Sequence, residues 1–339
     1  MGTYAQIENN HLINKSYSSI YCLKTLGAFF VICIHCFAPI LIRPFIRTAV
    51  PIFFMISGYF LYKSDPKLAI KKSLKAVKKI FWITVYANIF YYLCLQLPDT
   101  INPFKSIISL ISFLLFGANI GFHLWYIYAY IETLIVLIIF LKIDKLQFLW
   151  RSIPFCIAFG LFTGSFSSIV GYESLNNMYV TRNFITMGIP CFGIGWLIRQ
   201  YQNTIMSFFN HTTLWLIVIS AIALVEVFVL SLFFKRPKYC GDFYLMTFPL
   251  TTIMFLVCLR YPTLGQNTFI EKIGKEYSLY IYIFHIAILI TLMKVLEIYI
   301  PESLSSAPFF LFCIPFLVFT LTIFFVIIWR RASLNLFDK

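Results

Sequence analysis

Hydrophobic residues run through this 339-residue chain in long blocks separated by short polar breaks. Ten blocks read as helices that cross a bilayer, at roughly 20 residues per span. They are 20–41, 48–62, 80–98, 123–141, 149–168, 183–198, 212–234, 243–259, 278–298 and 307–329. A further apolar run, 105–118, follows Asp99, Asn102 and Pro103 and is short for a span, so it reads as an interfacial or re-entrant piece. Hydrocarbon offers a backbone no hydrogen-bond partner except itself, so these runs are read as helices. The pattern predicts an all-α polytopic membrane protein with about ten transmembrane helices, built as one integral domain over 1–339.

Composition agrees. The chain is 60% hydrophobic and 12% charged, against about 25% charged in a soluble domain. That excludes a soluble globular domain and a disordered chain. The net charge of +14 does not point to nucleic acid, because the basic residues lie beside apolar blocks. With ten spans and both termini cytoplasmic, 19 of the 27 Lys and Arg fall inside, including the run Lys63, Lys67, Lys71, Lys72, Lys75, Lys78 and Lys79. The other eight fall outside: Arg43, Arg47, Lys105, Arg182, Lys235, Arg236, Lys238 and Lys294. Counting 105–118 as a full span erases this asymmetry. The expected location is the inner (plasma) membrane, as a multi-pass protein in contact with the lipid bilayer. Met1–Ser19 is polar and lacks the order of a cleaved signal.

Of the nine cysteines, Cys33 and Cys36 form a CxxC in the first span, but no second pair accompanies it, so no metal site is expected. Candidate chemistry rests on the few ionisable groups left inside the spans, where burial costs a few kcal/mol or more. Lys24 and His35 are eleven residues apart on one face of the first span, His35 being about 16 Å further along the axis. Gly27, Ala28 and Val31 lie between them. Lys24 falls near the inner surface, where a snorkelling role is also open. His35 falls in the outer half, and neutral imidazole suits a general base. Glu132 sits mid-span, positioned to orient a histidine or pair with a cation. Ser278 and His285 share a face of the ninth span. His123 and Trp125 stand at the outer mouth of the fourth span, where they meet acceptor or water. Glu226 reads as a structural partner. Ser57-Gly58-Tyr59 reads as close helix packing through small residues more than as a serine nucleophile.

Four segments together resemble the acyltransferase 3 family of integral membrane acyltransferases. Lys24…His35 resembles its first-span basic-x10-His motif, with lysine where arginine is usual. Val50-Pro-Ile-Phe-Phe-Met-Ile-Ser-Gly-Tyr59 is similar to its second-span signature, and His123-Leu-Trp125-Tyr126 to its short His/Leu/Trp segment. Ile273-Gly274…Ser278…Tyr280…His285 is similar to its late Gly/Ser/Tyr/His pattern.

The resemblance implies transfer of an acyl group, usually acetyl, from acyl-CoA on the inner side. The acceptor it implies is a hydroxyl of a surface glycan or its lipid-linked precursor. This is an O-acetyltransferase type of chemistry with no metal. It also implies His35 as the leading catalytic residue, with Lys24 as its basic partner. Lys24 keeps the charge of arginine but not its planar fork; Arg43 or Arg47 is a candidate to replace that fork.

The expected scheme places the coenzyme head among inner lysines, Lys24, Lys72 and Lys75 among them. The catalytic set is then His35, Glu132 and His285, with His123, Trp125 and Ser278 against substrate. His285, Ser278 or a tyrosine would donate to the developing oxyanion, and an acyl-imidazole intermediate is the variant mechanism. The alternative is a proton-coupled transporter or flippase using the same intramembrane histidines and carboxylates.

Overall fold

The computed structural model describes residues 17–36, 38–95, 103–117, 120–164, 166–167, 171, 177–234, 244–301 and 307–337. Lys15, Asp99, Asn102, Lys235, Arg236, Lys238, Lys339 and Cys240, used in reading the sequence, lie outside them. Every regular element among the described residues is helical, and there is no strand among them. The main helices are α1 Ser18–His35, α2 Ala49–Leu61, α3 Pro66–Phe90, α4 Ile107–Phe116, α5 Trp125–Lys142 and α6 Ile153–Thr163. They are followed by α7 Ile189–Gln200, α8 Thr212–Phe234, α9 Thr247–Arg260, α10 Ser278–Tyr299 and α11 Pro308–Phe337.

Among the described residues, seven helical stretches are long and apolar enough to cross a bilayer: Ser18–His35, Ile40–Leu61, Phe122–Lys142, Leu146–Thr163, Thr212–Leu232, Phe269–Tyr299 and Pro308–Arg331. The other three expected spans are helical but are not long and apolar enough by the same measure. α3 opens with six lysines in its first four turns. α7 begins as a π turn, Phe184–Gly188, and α9 is 14 residues long. α4 matches the short run 105–118; it is 10 residues long, none of them is buried, and it closes on Gly117 at φ 62°. Only 17% of the apolar window Thr212–Leu232 is buried in the protein. Such a helix needs lipid as its solvent, since water would meet a continuous apolar face. The protein is a multi-pass membrane protein.

The first span ends earlier than the apolar run suggested. α1 stops at His35, and Cys36 is extended, its N–H bonding the carbonyl of Cys33. Pro39 follows with φ −53° and ψ 144°; a residue before proline avoids helical backbone, so the helix stops short of it. The chain then turns through Ile40–Ile42 and Arg43–Ile46 into α2. His35 therefore sits at a helix terminus beside a turn, where side chains from other segments can approach it.

α2 and α7 cross in backbone contact. A Cβ on Gly58 would run into the carbonyl oxygen of Phe192, and one on Gly195 into that of Met55. Small residues let membrane helices approach this closely, as Ser57-Gly58 suggested. Gly58→Ala and Gly195→Ala are each expected to cost about 1–3 kcal/mol, because neither backbone can yield. Gly27→Ala, whose Cβ would press on the Phe53 ring at 3.2 Å and touch the Ala49 carbonyl at an ordinary 3.6 Å, is the mild control. Thermal denaturation of the detergent-solubilised protein checks the order; equal midpoints for all three would refute it.

The Lys24 end of α1 is tied to the segment before α10. Thr25 donates to the Ile270 carbonyl at 2.6 Å, and Gly274 packs on the Tyr21 carbonyl. Arg330 of α11 reaches the same segment, its guanidinium 3.0 Å from the Glu276 carboxylate. These ties fix α1 against α10, the two helices that carry the histidines described next.

Candidate active site

Three histidines from three separate segments meet at the far end of α1. The ring centroids of His35 and His285 are 5.3 Å apart, and those of His123 and His285 also 5.3 Å. His35 comes from the last turn of α1, His285 from the second turn of α10, and His123 from the short turn Phe122–Leu124 that precedes α5. Phe122 stands edge-on to His35 at 5.4 Å, and Tyr91 edge-on to His123 at 4.7 Å. His285 is fully buried and His123 nearly so, at 2% exposure. Of the two expectations for His123, acceptor or water, open exposure to water does not hold in this structure, because α10 covers the ring.

Backbone carbonyls of α10 set the orientation of two of these rings. His285 Nδ1 lies 2.7 Å from the Tyr282 carbonyl, and His123 Nε2 lies 3.3 Å from the Ile283 carbonyl. A carbonyl oxygen only accepts, so both of those nitrogens carry the proton. The Ile283 carbonyl also accepts from the Tyr91 hydroxyl at 2.6 Å, and the Tyr282 hydroxyl donates to the His123 carbonyl. The remaining nitrogens, His285 Nε2 and His123 Nδ1, are buried without a hydrogen-bond partner among the described residues. In the neutral rings both are lone pairs. Unsatisfied buried acceptors cost about 1–3 kcal/mol each, and sites that retain them are often functional.

Two cavities meet at Tyr282. The one on the histidine side, about 40 Å³, is lined by His35, Arg47, His123, Trp125, Arg182 and Tyr282 among others. The one toward the other end of α1, about 160 Å³, is lined by Lys24, Ser57, Tyr126, Tyr130, Ser278 and Tyr282 among others. Tyr282 thus stands between the Lys24 chamber and the His35 chamber, along the α1 face that runs from one residue to the other. Ser57 donates to the Phe53 carbonyl at 2.8 Å and Ser278 to the Gly274 carbonyl at 3.0 Å, so both hydroxyl protons are already engaged within their own helices. A third cavity, about 360 Å³, touches His35 and Cys36 from the side of α10 and α11.

Other predicted residues fall away from the cluster. Glu132 lies on α5, about two and a half turns past His123, half-buried, with no hydrogen bond or ion pair among the described residues; it is not joined to any histidine. Glu226 accepts from the backbone N–H groups of Leu245 and Met246 at 2.5 and 3.0 Å, capping the entry to α9. Lys75 is exposed, and Lys72 donates to the Phe60 carbonyl at 2.6 Å. Partial burial, then the charges of Lys63 and Arg199, lower the Lys72 pKa from its ordinary value. Lys24 has different company. Its ammonium and that of Lys275 each lie 5.9 Å from the Tyr21 ring centre, with Lys79 close enough to repel it. Arg47 keeps company with His35, not Lys24. Tyr282, and the chamber that Arg47 and Arg182 both line, escaped sequence reasoning, since each acquires its place from helix packing, while Lys79 and Lys275 were visible only as two of the inner lysines. Among the described residues no group of His, Cys, Asp and Glu is arranged to hold a metal ion.

An all-helical membrane protein with a buried histidine cluster between two cavities admits several chemistries, and comparison with known families narrows them. A family model described as an acyltransferase domain, Acyl_transf_3, matches residues 17–329, nearly the whole chain. The protein belongs to this acyltransferase 3 family, and is a membrane acyltransferase that draws on an acyl donor. No curated protein and no solved structure matches it.

Proposed function

We propose that the protein transfers an acyl group, acetyl in the first instance, from cytoplasmic acyl-CoA to a hydroxyl of a cell-surface glycan or its lipid-linked precursor. In this reading both termini are cytoplasmic, ten helices cross the inner membrane, and the Lys24 end of α1 faces the cytoplasm. The observation that carries it is the pair of chambers meeting at Tyr282, one with a lysine at its base and one with three histidines.

The coenzyme phosphates bind the inner cations. Lys24 lines the chamber, Lys275 shares the Tyr21 ring with it and Lys79 is a neighbouring charge, with Lys72 and Lys75 further out along α3. The pantetheine arm then follows the small-residue face of α1 past Ser57 and Ser278, bringing the thioester to His35. Trp125 and His123 hold the acceptor on the other side. His35 takes the proton of the acceptor hydroxyl as its oxygen attacks the thioester carbonyl. The carbon–sulfur bond breaks, and the proton passes to the departing thiolate, giving an ester and free CoA. The carbonyls at the end of α1 favour positive charge on the His35 ring during that step. His285, with Nδ1–H held by Tyr282, presents Nε2 as a proton acceptor and so serves as a relay to His35, better suited to that than to donating to an oxyanion. Glu132 has no part in the cluster and would act only after substrate-driven rearrangement.

Purified protein in detergent is expected to release free thiol from acetyl-CoA when acceptor is added. Uptake of substrate into proteoliposomes without any acyl donor, and no thiol release, would overturn the proposal. Lys24→Ala is expected to raise the KM for acetyl-CoA roughly tenfold, the loss of one charge-assisted phosphate contact, with kcat little changed. Lys72→Ala should do less, because that ammonium is already engaged by Phe60. Steady-state kinetics of the two variants check this; a larger effect at Lys72 would move the coenzyme head outward along α3.

A further inference from the structure

Among the described residues, Tyr282 alone lines both the chamber that reaches Lys24 and the chamber that holds His35. Its side chain is buried, with the ring edge-on to Tyr126 at 5.3 Å on the Lys24 side. On the other side its ring centre lies 6.1 Å from those of His123 and His285. The Tyr282 hydroxyl donates to the His123 carbonyl, and the Tyr282 carbonyl holds His285 Nδ1 at 2.7 Å. One residue closes the passage and ties down two of the three histidines.

The hydroxyl bond reaches further than His123. That carbonyl belongs to the turn Phe122–Leu124, whose Phe122 stands edge-on to His35 at 5.4 Å. Turning the Tyr282 ring out of the passage, by a change of rotamer, breaks the bond and releases the turn beside His35. Giving up a buried hydrogen bond is costly, so the closed arrangement is the resting one. Opening the passage and reshaping the His35 chamber are a single event.

The chemistry calls for such a partition. The His35 chamber is lined by His35, Arg47, His123 and Arg182, and its volume is about 40 Å³, several times the roughly 10–15 Å³ that one water needs. A base that takes the proton of an acceptor hydroxyl also takes one from water. With thioester and His35 in open communication, water attacks the carbonyl and the carbon–sulfur bond breaks. The proton passes to the thiolate, and acyl-CoA becomes a free carboxylic acid and CoA. Sites that close against water suppress such side reactions.

We infer that Tyr282 is the gate of this enzyme: it holds the donor thioester away from His35 until an acceptor, seated against His123 and Trp125, shifts the turn to which its hydroxyl is tied. The inference rests on the acyl-transfer reading and adds to it a gating residue, with the base left to His35.

The test uses the purified full-length protein and radiolabelled acetyl-CoA, and reads free acetate and labelled glycan separately. The acceptor probe is envelope glycan extracted from the source cells, lipid-linked saccharides included. Without that extract, Tyr282→Phe keeps the ring, loses the tie, and is expected to form acetate roughly fivefold faster than wild type, the scale of one net hydrogen bond. Tyr282→Ala should do so by roughly tenfold or more, since no closed population remains, and with the extract less of each turnover should end on glycan. Adding His35→Ala to Tyr282→Ala should return acetate formation to background, because the same base serves water. Thr251→Val is the control: it loses a buried hydroxyl bond of 2.6 Å to the Thr247 carbonyl but lines neither chamber, and its acceptor-free rate should match wild type. A merely structural tyrosine would lower acetate and glycan labelling together. Unchanged acceptor-free acetate in both Tyr282 variants, an equal rise in Thr251→Val, or a rise that survives loss of His35 would overturn the gate, while glycan labelled by the wild type leaves acyl transfer standing. No labelled glycan from the wild type and no acetate from Tyr282→Ala would overturn the transferase reading and the gate with it.

Discussion

Replacing His35 by alanine is expected to lower kcat for acyl transfer by on the order of 10³-fold, within the range that a single positioned acid–base group supplies. The argument is positional. His35 occupies the end of α1, touches both the Arg47–Arg182 chamber and the cavity beside α11, and lies 5.3 Å from His285, ring centre to ring centre. No other side chain of the cluster has that access, because His123 and His285 are buried and tied to carbonyls of α10. The variant should still bind donor, since Lys24 lies about 16 Å away along the helix. Transfer of radiolabelled acetyl, measured beside the KM for acetyl-CoA, separates the two effects. Transfer at the wild-type rate by His35→Ala would remove this residue from the reaction.

The sequence made His35 visible because an ionisable residue in an apolar run has so few explanations. The run of helices was visible for a related reason: hydrocarbon leaves an apolar block little choice but helix. What local pattern could not show was convergence. His35, His123 and His285 belong to runs separated by long stretches of chain, and only the docking of α1 on α10 and of the turn at 122–124 under α10 brings them together. Their roles could be guessed one by one, but not the fact that two of them each keep a buried ring nitrogen without a hydrogen-bond partner among the described residues. Glu132 illustrates the converse. A mid-span carboxylate is as rare as a mid-span histidine and drew the same attention, yet its helix places it about two and a half turns past His123. The end of α1 was within reach of the sequence, since Pro39 forbids the run 20–41 from being one straight helix. Hydropathy averaged across that break because Phe37, Ala38 and the isoleucines after Pro39 are as apolar as the helix itself.

His285 allows its two ring nitrogens to be tested apart. Asparagine places an N–H close to where Nδ1 sits, so His285→Asn keeps the bond to the Tyr282 carbonyl and loses Nε2. Glutamine reaches toward the Nε2 position and gives up the anchor. If His285 relays a proton through Nε2, His285→Asn should fold and melt like the parent, yet lose on the order of 10²-fold or more in kcat, close to His285→Ala. His285→Gln should restore no rate, because an amide takes up no proton at neutral pH, and should melt earlier for want of the anchor. A purely structural histidine gives a different pattern. In that case His285→Asn, which preserves the 2.7 Å contact, would retain most of the activity while His285→Ala lost both activity and stability. The discriminating quantity is therefore the ratio of activity loss to melting-temperature loss in the asparagine variant. A large ratio assigns the Nε2 lone pair to the reaction, since nothing else about the ring has been removed without replacement.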